Sequence, residues 1–317
     1  MSNHCLVTGA SGFLGKYLLA CLQQKKWGAR ALVRSAFNGA LSCEQVVVGD
    51  LSASAASETW FDGIDTVFYL AGTAHLSAEA KQYEEDHSAV LRLARLAAQQ
   101  GVKRFVFVST TKAAADPTVN VCDERWDAWP TEPYGYWKRK TEEQLLNIAI
   151  PHIALVRPCL MYGAGVKGNL QKMINAIDRG YFPPLLNTSA QRSMVFAGDV
   201  AEALLLAATH SDANRRPLIV ADKEPYTVSD LYAAIRNALG KAPAKWHIPL
   251  SWLQAVGAVG DSVKTLGVPF PVNRSVVARL TENVVYSSDK LQQLGWTPST
   301  TFYRELPNMI SALQHHA

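Results

Sequence analysis

The sequence predicts an α/β fold: a Rossmann-type doubly wound parallel sheet with a smaller, mostly helical C-terminal lobe. Three observations predict it. Short apolar runs alternate with helix-periodic segments through the first half of the chain. A glycine-rich turn follows the first apolar run and opens the first helix. After about residue 160 helical patterns dominate. Strand–helix alternation implies βαβ units and a parallel sheet covered on both faces. The expected division is residues 1–160 for the large domain and 161–317 for the second lobe, interleaved with late elements of the first.

The strands are the runs Cys5–Thr8, Ala29–Val33, Gln45–Val48, Thr66–Leu70, Phe105–Ser109 and Ile153–Val156. Leu14, Leu18, Cys21 and Leu22 share one helix face after the first strand. Val90, Leu93, Ala94 and Ala97 share another before the fifth. Gly163-Ala164-Gly165 and Pro183-Pro184 signal loops. Beyond them Leu170–Arg179, Val200–His210, Val228–Leu239 and Ser287–Leu294 have helical spacing, and Pro217–Ala221 reads as a late strand.

Bulk properties narrow the function classes. A chain of 317 residues that is 48% hydrophobic and 18% charged can bury a large core and is not a disordered one. Net charge is +4, and Lys138-Arg139-Lys140 is the single dense basic run, so nucleic acid is not expected as a partner. The five cysteines are widely spread with no metal-ligand spacing, so reduced thiols, no metal and a cytoplasmic location are expected. No signal peptide and no membrane span are expected either. The nearest approach to a span, Leu250 to Leu266, is broken by Gln254, Asp261 and Lys264.

The turn Thr8-Gly9-Ala10-Ser11-Gly12-Phe13-Leu14-Gly15 can hold a dinucleotide pyrophosphate. Gly9 permits the tight turn, Gly12 lets backbone approach the diphosphate, and Gly15 lets the helix pack closely on the strand. The helix start at Ser11 to Leu14 then offers N–H groups to the anion. The second strand ends at Val33-Arg34-Ser35, without the acid that would take the ribose hydroxyls. Arg34 leans toward NADP over NAD, because it could pair with a 2′-phosphate; a solvated arginine is the alternative. Asp50 and Leu51 close the third strand, where Asp50 could accept from the adenine amino group. Leu70, Ala71 and Gly72 close the fourth, where small residues let backbone approach the cofactor.

Two pairs have Y-x-x-x-K spacing, Tyr134 with Lys138 and Tyr136 with Lys140. Residues four apart stack on one helix face. The first pair's face continues through Leu145 and Ala149 and is predicted to pack on the sheet; the second's continues through Glu143 and Asn147 and suits solvent. Pro133 fits the helix start. Lys138 and a nicotinamide cation would favour the phenolate of Tyr134, so its pKa is predicted to fall toward the working pH. Tyr134 would then exchange a proton with a substrate hydroxyl or carbonyl as hydride moves. Ser109, Thr110 and Thr111 end a buried strand on the face where open α/β sheets bind ligands, and one of these hydroxyls is expected to share the substrate oxygen.

These residues resemble an extended short-chain dehydrogenase/reductase of the NAD-dependent epimerase/dehydratase family, over nearly the whole chain. Within it the chain is similar to the nucleotide-sugar 4-epimerases and 4-keto-reductases of bacterial polysaccharide pathways. Its most specific segments are Thr8–Gly15, Gly101–Thr110, Tyr134–Leu146, Val156–Asn169 and Arg192–Val200, with Gly295-Trp296-Thr297-Pro298 near the C-terminus. The resemblance implies that Tyr134 and Lys138 are the catalytic pair and Thr110 the catalytic hydroxyl, with Thr111 as the near alternative. It places Ser109 and the Arg157-Pro158 pair beside the nicotinamide, and Asn169, Arg192 and, more loosely, Arg279 at the nucleotide diphosphate. It also implies a homodimer through helices of the large domain.

The chain departs from the family at Ala114-Ala115, at Asp199, and at His87, which takes the place of an asparagine usual in the fourth helix. Thr111-Lys112 replaces the Asp-Glu of the 4,6-dehydratases, which excludes that elimination chemistry. The expected activity is hydride transfer at C4 of a UDP-linked or other nucleoside-diphosphate sugar. An NADPH-dependent reductase of a non-sugar carbonyl and a non-catalytic dinucleotide sensor remain open alternatives.

Overall fold

A computed structural model describes residues 3–37, 43–54, 56–73, 79–114, 121–182, 190–244 and 283–314, together with Trp252 and Ala255. Arg279, Ala115 and most of the Leu250 to Leu266 run lie outside the described residues.

The first six strands are β1 (His4–Thr8), β2 (Gly28–Val33), β3 (Glu44–Val47), β4 (Thr66–Tyr69), β5 (Arg104–Val108) and β6 (His152–Pro158). Three short strands follow: β7 (Leu160–Tyr162), β8 (Gln191–Arg192) and β9 (Met194–Phe196). β10 (Pro217–Val220) then returns to the main sheet, and β11 (Tyr226–Thr227) pairs with β8. The seven-stranded sheet runs β10-β6-β5-β4-β1-β2-β3 and is parallel throughout. Strand order therefore reverses between β1 and β4, and the crevice above their carboxyl ends is where ligands enter such sheets.

Strand alternation divides the core. Val7, Phe68, Val106 and Ala154 point to one face, covered by α1 (Phe13–Gln24) and a later helix, and Leu6, Val67, Phe105 and Ile153 point to the other. That second face is covered by α2 (Ala80–Gln99) and α3 (Pro133–Leu145), through residues such as Val90, Leu93, Ala94, Ala97 and Leu145. α4 (Asn169–Asp178) belongs to the lobe, whereas α5 (Ala197–Thr209) packs beside α1 on the large sheet. The fold class predicted from sequence is the one observed, and β10 with α5 are its late large-domain elements.

The lobe core joins Leu170 and Ile174 of α4 to Leu231 and Ile235 of α6 (Val228–Ala238). After α7 (Asp289–Gln293) the chain closes on α8 (Phe302–Gln314), whose stripe Phe302, Leu306, Met309 and Ile310 is buried. α8 has no counterpart in the sequence reading. Pro307 sits inside it and interrupts the signal that its i, i+4, i+7, i+8 stripe would otherwise send. The strands of two or three residues are too short to show a period. α3 ends at Leu145, so Ala149, expected on its inward face, lies beyond the helix and is exposed. No helix among the described residues is long and apolar enough to cross a membrane.

A buried carboxylate ties the lobe together. Asp222 Oδ2 accepts from the Tyr162 hydroxyl at 2.8 Å and the Tyr226 hydroxyl at 2.6 Å, while the Phe302 amide donates to the Tyr226 oxygen at 3.0 Å. Burial pushes Asp222 up from 3.8 to about 6, against the two phenols, which pull it down. A folded value above the unfolded one means the native state binds more protons within that window. Stability should therefore fall as pH rises from about 4 to about 6, by about 3 kcal/mol. The Asp222→Asn protein is expected to lose that slope relative to wild type in urea denaturation. Parallel slopes would contradict it.

Candidate active site

Gly9 ends β1 at φ +68, and a Cβ there would lie 2.9 Å from the Ala71 nitrogen. The Gly12 amide donates to the Gly9 carbonyl at 2.9 Å. A Cβ on Gly15 would lie 2.3 Å from the Gly9 oxygen and 2.6 Å from the Ala10 oxygen, so only glycine lets α1 sit this close to β1. Gly12 caps α1 without a side-chain hydrogen bond, which leaves the first-turn amides facing the crevice. Ser11 and Gly12 are exposed, Phe13 is half-buried, and Leu14 and Gly15 are buried. Across the crevice Thr8 Oγ1 accepts from the Leu70 and Ala71 amides, both at 3.1 Å, and pins the ends of β1 and β4 together. Gly15→Ala is expected to lift α1, lower stability by about 1–3 kcal/mol and weaken dinucleotide binding more than about tenfold. Thermal melts and NADH titration measure both, and unchanged values would contradict the packing.

At the far end of this cradle Arg34 and Asp50 are exposed. Asp50 Oδ1 accepts from the Ser52 amide at 2.9 Å and the Ser52 hydroxyl at 2.8 Å. Those bonds, helped by the charge of Arg34, hold its carboxyl below the ordinary value. Leu51 is half-buried beside it. The cradle fits a dinucleotide. Its glycines leave no room for side chains where backbone must meet phosphate, and the buried Ser109 Oγ has no hydrogen-bond partner among the described residues.

Pro133 starts α3 at its first turn, and Gly135 lets the helix press on the turn after β5. A Cβ on Gly135 would lie 2.2 Å from the Lys112 oxygen. That closeness brings Tyr134 toward Thr110, whose hydroxyl favours the ionised phenol. Thr110 also caps a 3-10 turn, Thr111–Ala113, by accepting from the Lys112 amide at 3.2 Å. Thr111 is buried within that turn. Tyr134 is half-buried, its ring 5.8 Å from that of Tyr83. Lys138 Nζ donates to the Val108 carbonyl at 3.0 Å and lies 4.7 Å above the Phe107 ring. Tyr136 is exposed, and Lys140 Nζ lies 4.4 Å from the Trp137 ring.

The electrostatics differ from the sequence expectation. Burial pushes the Tyr134 phenol up to about 12, against the Thr110 hydroxyl, which lowers it. Burial also brings Lys138 down to about 8. The predicted fall assumes a nicotinamide cation beside the phenol; here desolvation raises it, reinforced by Tyr83 and Asp86.

His87 lines the same pocket as Tyr134 and Lys138. Its Nδ1 meets Thr141 Oγ1 at 2.8 Å and its ring lies 5.2 Å from Trp137. Asp86 lines that pocket too, with Oδ2 accepting from the Thr73 amide at 2.6 Å. Arg157, expected beside the nicotinamide with Pro158, is turned to Glu142: Nε–Oε1 is 2.9 Å and Nη2–Oε2 is 2.5 Å, both residues buried. Pro158 is buried at the end of β6. Glu142, Tyr83 and Asp86 were missed. Glu142 stands one turn beyond Lys138 in the same stripe, a signal the sequence did contain.

The glycine turn, Leu70 to Gly72, Ser109 to Thr111, Tyr134 and Lys138 thus meet at the carboxyl ends of the central strands. Asn169 is exposed at the first position of α4, and Arg192 is half-buried on β8, both in the lobe. Among the described residues no three His, Cys, Asp or Glu side chains cluster as metal ligands.

A family model described as "NAD dependent epimerase/dehydratase family" matches residues 5–221. The UDP-glucose 4-epimerase of Vibrio cholerae is 26% identical over 95% of this chain and 92% of its own. A 4-hydroxy-2-methyl-3-oxo-4-farnesyl-3,4-dihydroquinoline-1-oxide ketoreductase of Stigmatella aurantiaca is 27% identical over 96% of this chain and 95% of its own. The solved structure of the Thermus thermophilus UDP-glucose 4-epimerase in complex with NAD superposes with TM-score 0.73 at 21% identity, covering 99% of this chain and 100% of that one.

Proposed function

Because the chain belongs to the NAD-dependent epimerase/dehydratase family, we propose that it is an enzyme transferring hydride at C4 of a nucleoside-diphosphate sugar, a UDP-sugar. The observation that carries the proposal is the Tyr134 phenol, one helical turn from Lys138 in a pocket that both share with Ala71 and Gly72 at the end of β4.

Gly9, Ser11, Gly12, Phe13, Leu14 and Gly15 would hold the pyrophosphate, with Leu70, Ala71 and Gly72 lining the opposite wall. Ser109, Tyr134, Lys138 and Pro158 would surround the nicotinamide end. A bound NAD or NADP would supply the hydride acceptor or donor. Arg34 favours NADP and the family description favours NAD, so competition between NADH and NADPH is part of the test. A phenol near 12 keeps its proton at neutral pH and suits Tyr134 to protonating a developing alkoxide. Thr110 would hydrogen-bond the same oxygen. Asn169 and Arg192 would hold the substrate diphosphate from the lobe. We infer a homodimer through the large-domain helices, read by its mass in solution.

The purified protein should release a bound dinucleotide on denaturation and be stabilised thermally by UDP-sugars over neutral ketones. Retained NAD(H) with interconversion of C4 epimers makes it an epimerase. An empty site accepting NADPH, with reduction of a 4-keto sugar, makes it a reductase. Turnover of a neutral ketone alone would replace the sugar reading with the second one, which the Stigmatella ketoreductase likeness favours.

A further inference from the structure

We propose that Asp86 is a positioning residue of this site: its carboxylate, pinned by the Thr73 amide, is the counter-ion that keeps Lys138 an ammonium beside Gly72. The proposal rests on the Tyr134–Lys138 reading above and adds a charged member to it.

Three geometric facts carry it. Asp86 Oδ2 accepts the Thr73 amide at 2.6 Å, which fixes the carboxylate at the end of β4 rather than letting it swing to solvent. Gly72, at φ +140, brings two charges to one point: a Cβ there would lie 3.6 Å from Asp86 Oδ2 and 3.9 Å from Lys138 Nζ. Lys138 itself is held from the other side by the Val108 carbonyl and the Phe107 ring. The ammonium is therefore held by a carbonyl and an aromatic face, with the Asp86 carboxylate lining the same pocket.

The groups facing the pair come from three elements. α2 supplies Tyr83, Asp86 and His87, the turn after β5 supplies Thr110, and α3 supplies Glu142. Burial alone drives Lys138 toward the neutral amine, and Asp86 and Glu142 oppose it, Asp86 more strongly. Glu142 is already spent on Arg157. Asp86 also acts on Tyr134, where its negative charge disfavours the phenolate. One carboxylate thus keeps protons on both members, and it sets the pH at which the pair works. A neutral side chain there would let both release protons at lower pH.

The test reads Lys138 directly and needs no turnover. Protein carrying [ε-13C]lysine is titrated by NMR, with the Lys138 resonance assigned by its loss in Lys138→Arg. Asp86→Asn keeps the acceptor for Thr73 and removes the charge. Its Lys138 midpoint is expected about one unit below wild type. With an active substrate in hand, the kcat/KM profile should move the same way. A midpoint that stays put or rises overturns the proposal. Asp86→Ser repeats the measurement if the asparagine variant does not fold. Failure of both variants to fold assigns Asp86 to structure and also overturns it. Absence of sugar turnover in wild type would sink the function reading and leave the NMR outcome intact.

Discussion

Replacing Tyr134 with phenylalanine is expected to lower kcat on the true substrate by about 10²–10⁴-fold, the range for a lost positioned acid or base. KM should change little, because the ring contact with Tyr83 survives and only the hydroxyl is removed. Dinucleotide affinity should also hold, since the glycine cradle is untouched. The wild-type profile supplies a second check. Lys138 sits at about 8, so its positive charge is present below that pH and lost as pH rises through it. kcat/KM should therefore decline above about 8. Steady-state rates with a dinucleotide titration measure both effects. Unchanged turnover in the phenylalanine variant would remove Tyr134 from the chemistry.

Replacing Glu142 with alanine is expected to cost about 3–5 kcal/mol. Glu142 and Arg157 are buried and bidentate, joining α3 to β6 under the catalytic face. Removing the carboxylate strands a guanidinium with no water to solvate it. The cost is one of an unpaired charge, so the double change Glu142→Leu with Arg157→Met should recover most of it. Urea midpoints of the three proteins decide this. A single alanine variant losing less than about 1 kcal/mol would mean that water reaches Arg157. The pair also sits one turn beyond Lys138, so the single variant should lose activity by a shift of α3 before it unfolds.

Most of the sheet was legible because its strands are short apolar runs and its helices carry a 3.6-residue stripe. Those periods are local and need no knowledge of partners. The glycine turn was legible for the same reason: a strand, three spaced glycines and a helix occur in one stretch of chain. β7, β8, β9 and β11 were not, since two or three residues carry no period and pair only because the lobe brings them together. α8 was hidden by Pro307, which its buried stripe tolerates near the helix start.

The sequence by itself determined the architecture, the dinucleotide cradle and the choice of Tyr134 over Tyr136 as the inward tyrosine. Only the tertiary structure decided that Asp86 and His87 of α2 line one pocket with Tyr134 and Lys138 of α3, because only the packed helices set that phase. It alone showed that Arg157 is paired with Glu142, since the two meet across 15 positions of chain. It also brought in burial as a force that raises the phenol of Tyr134. Charge pairing is visible in a list of residues, but burial is not, and inside this protein burial is the larger force on the phenol.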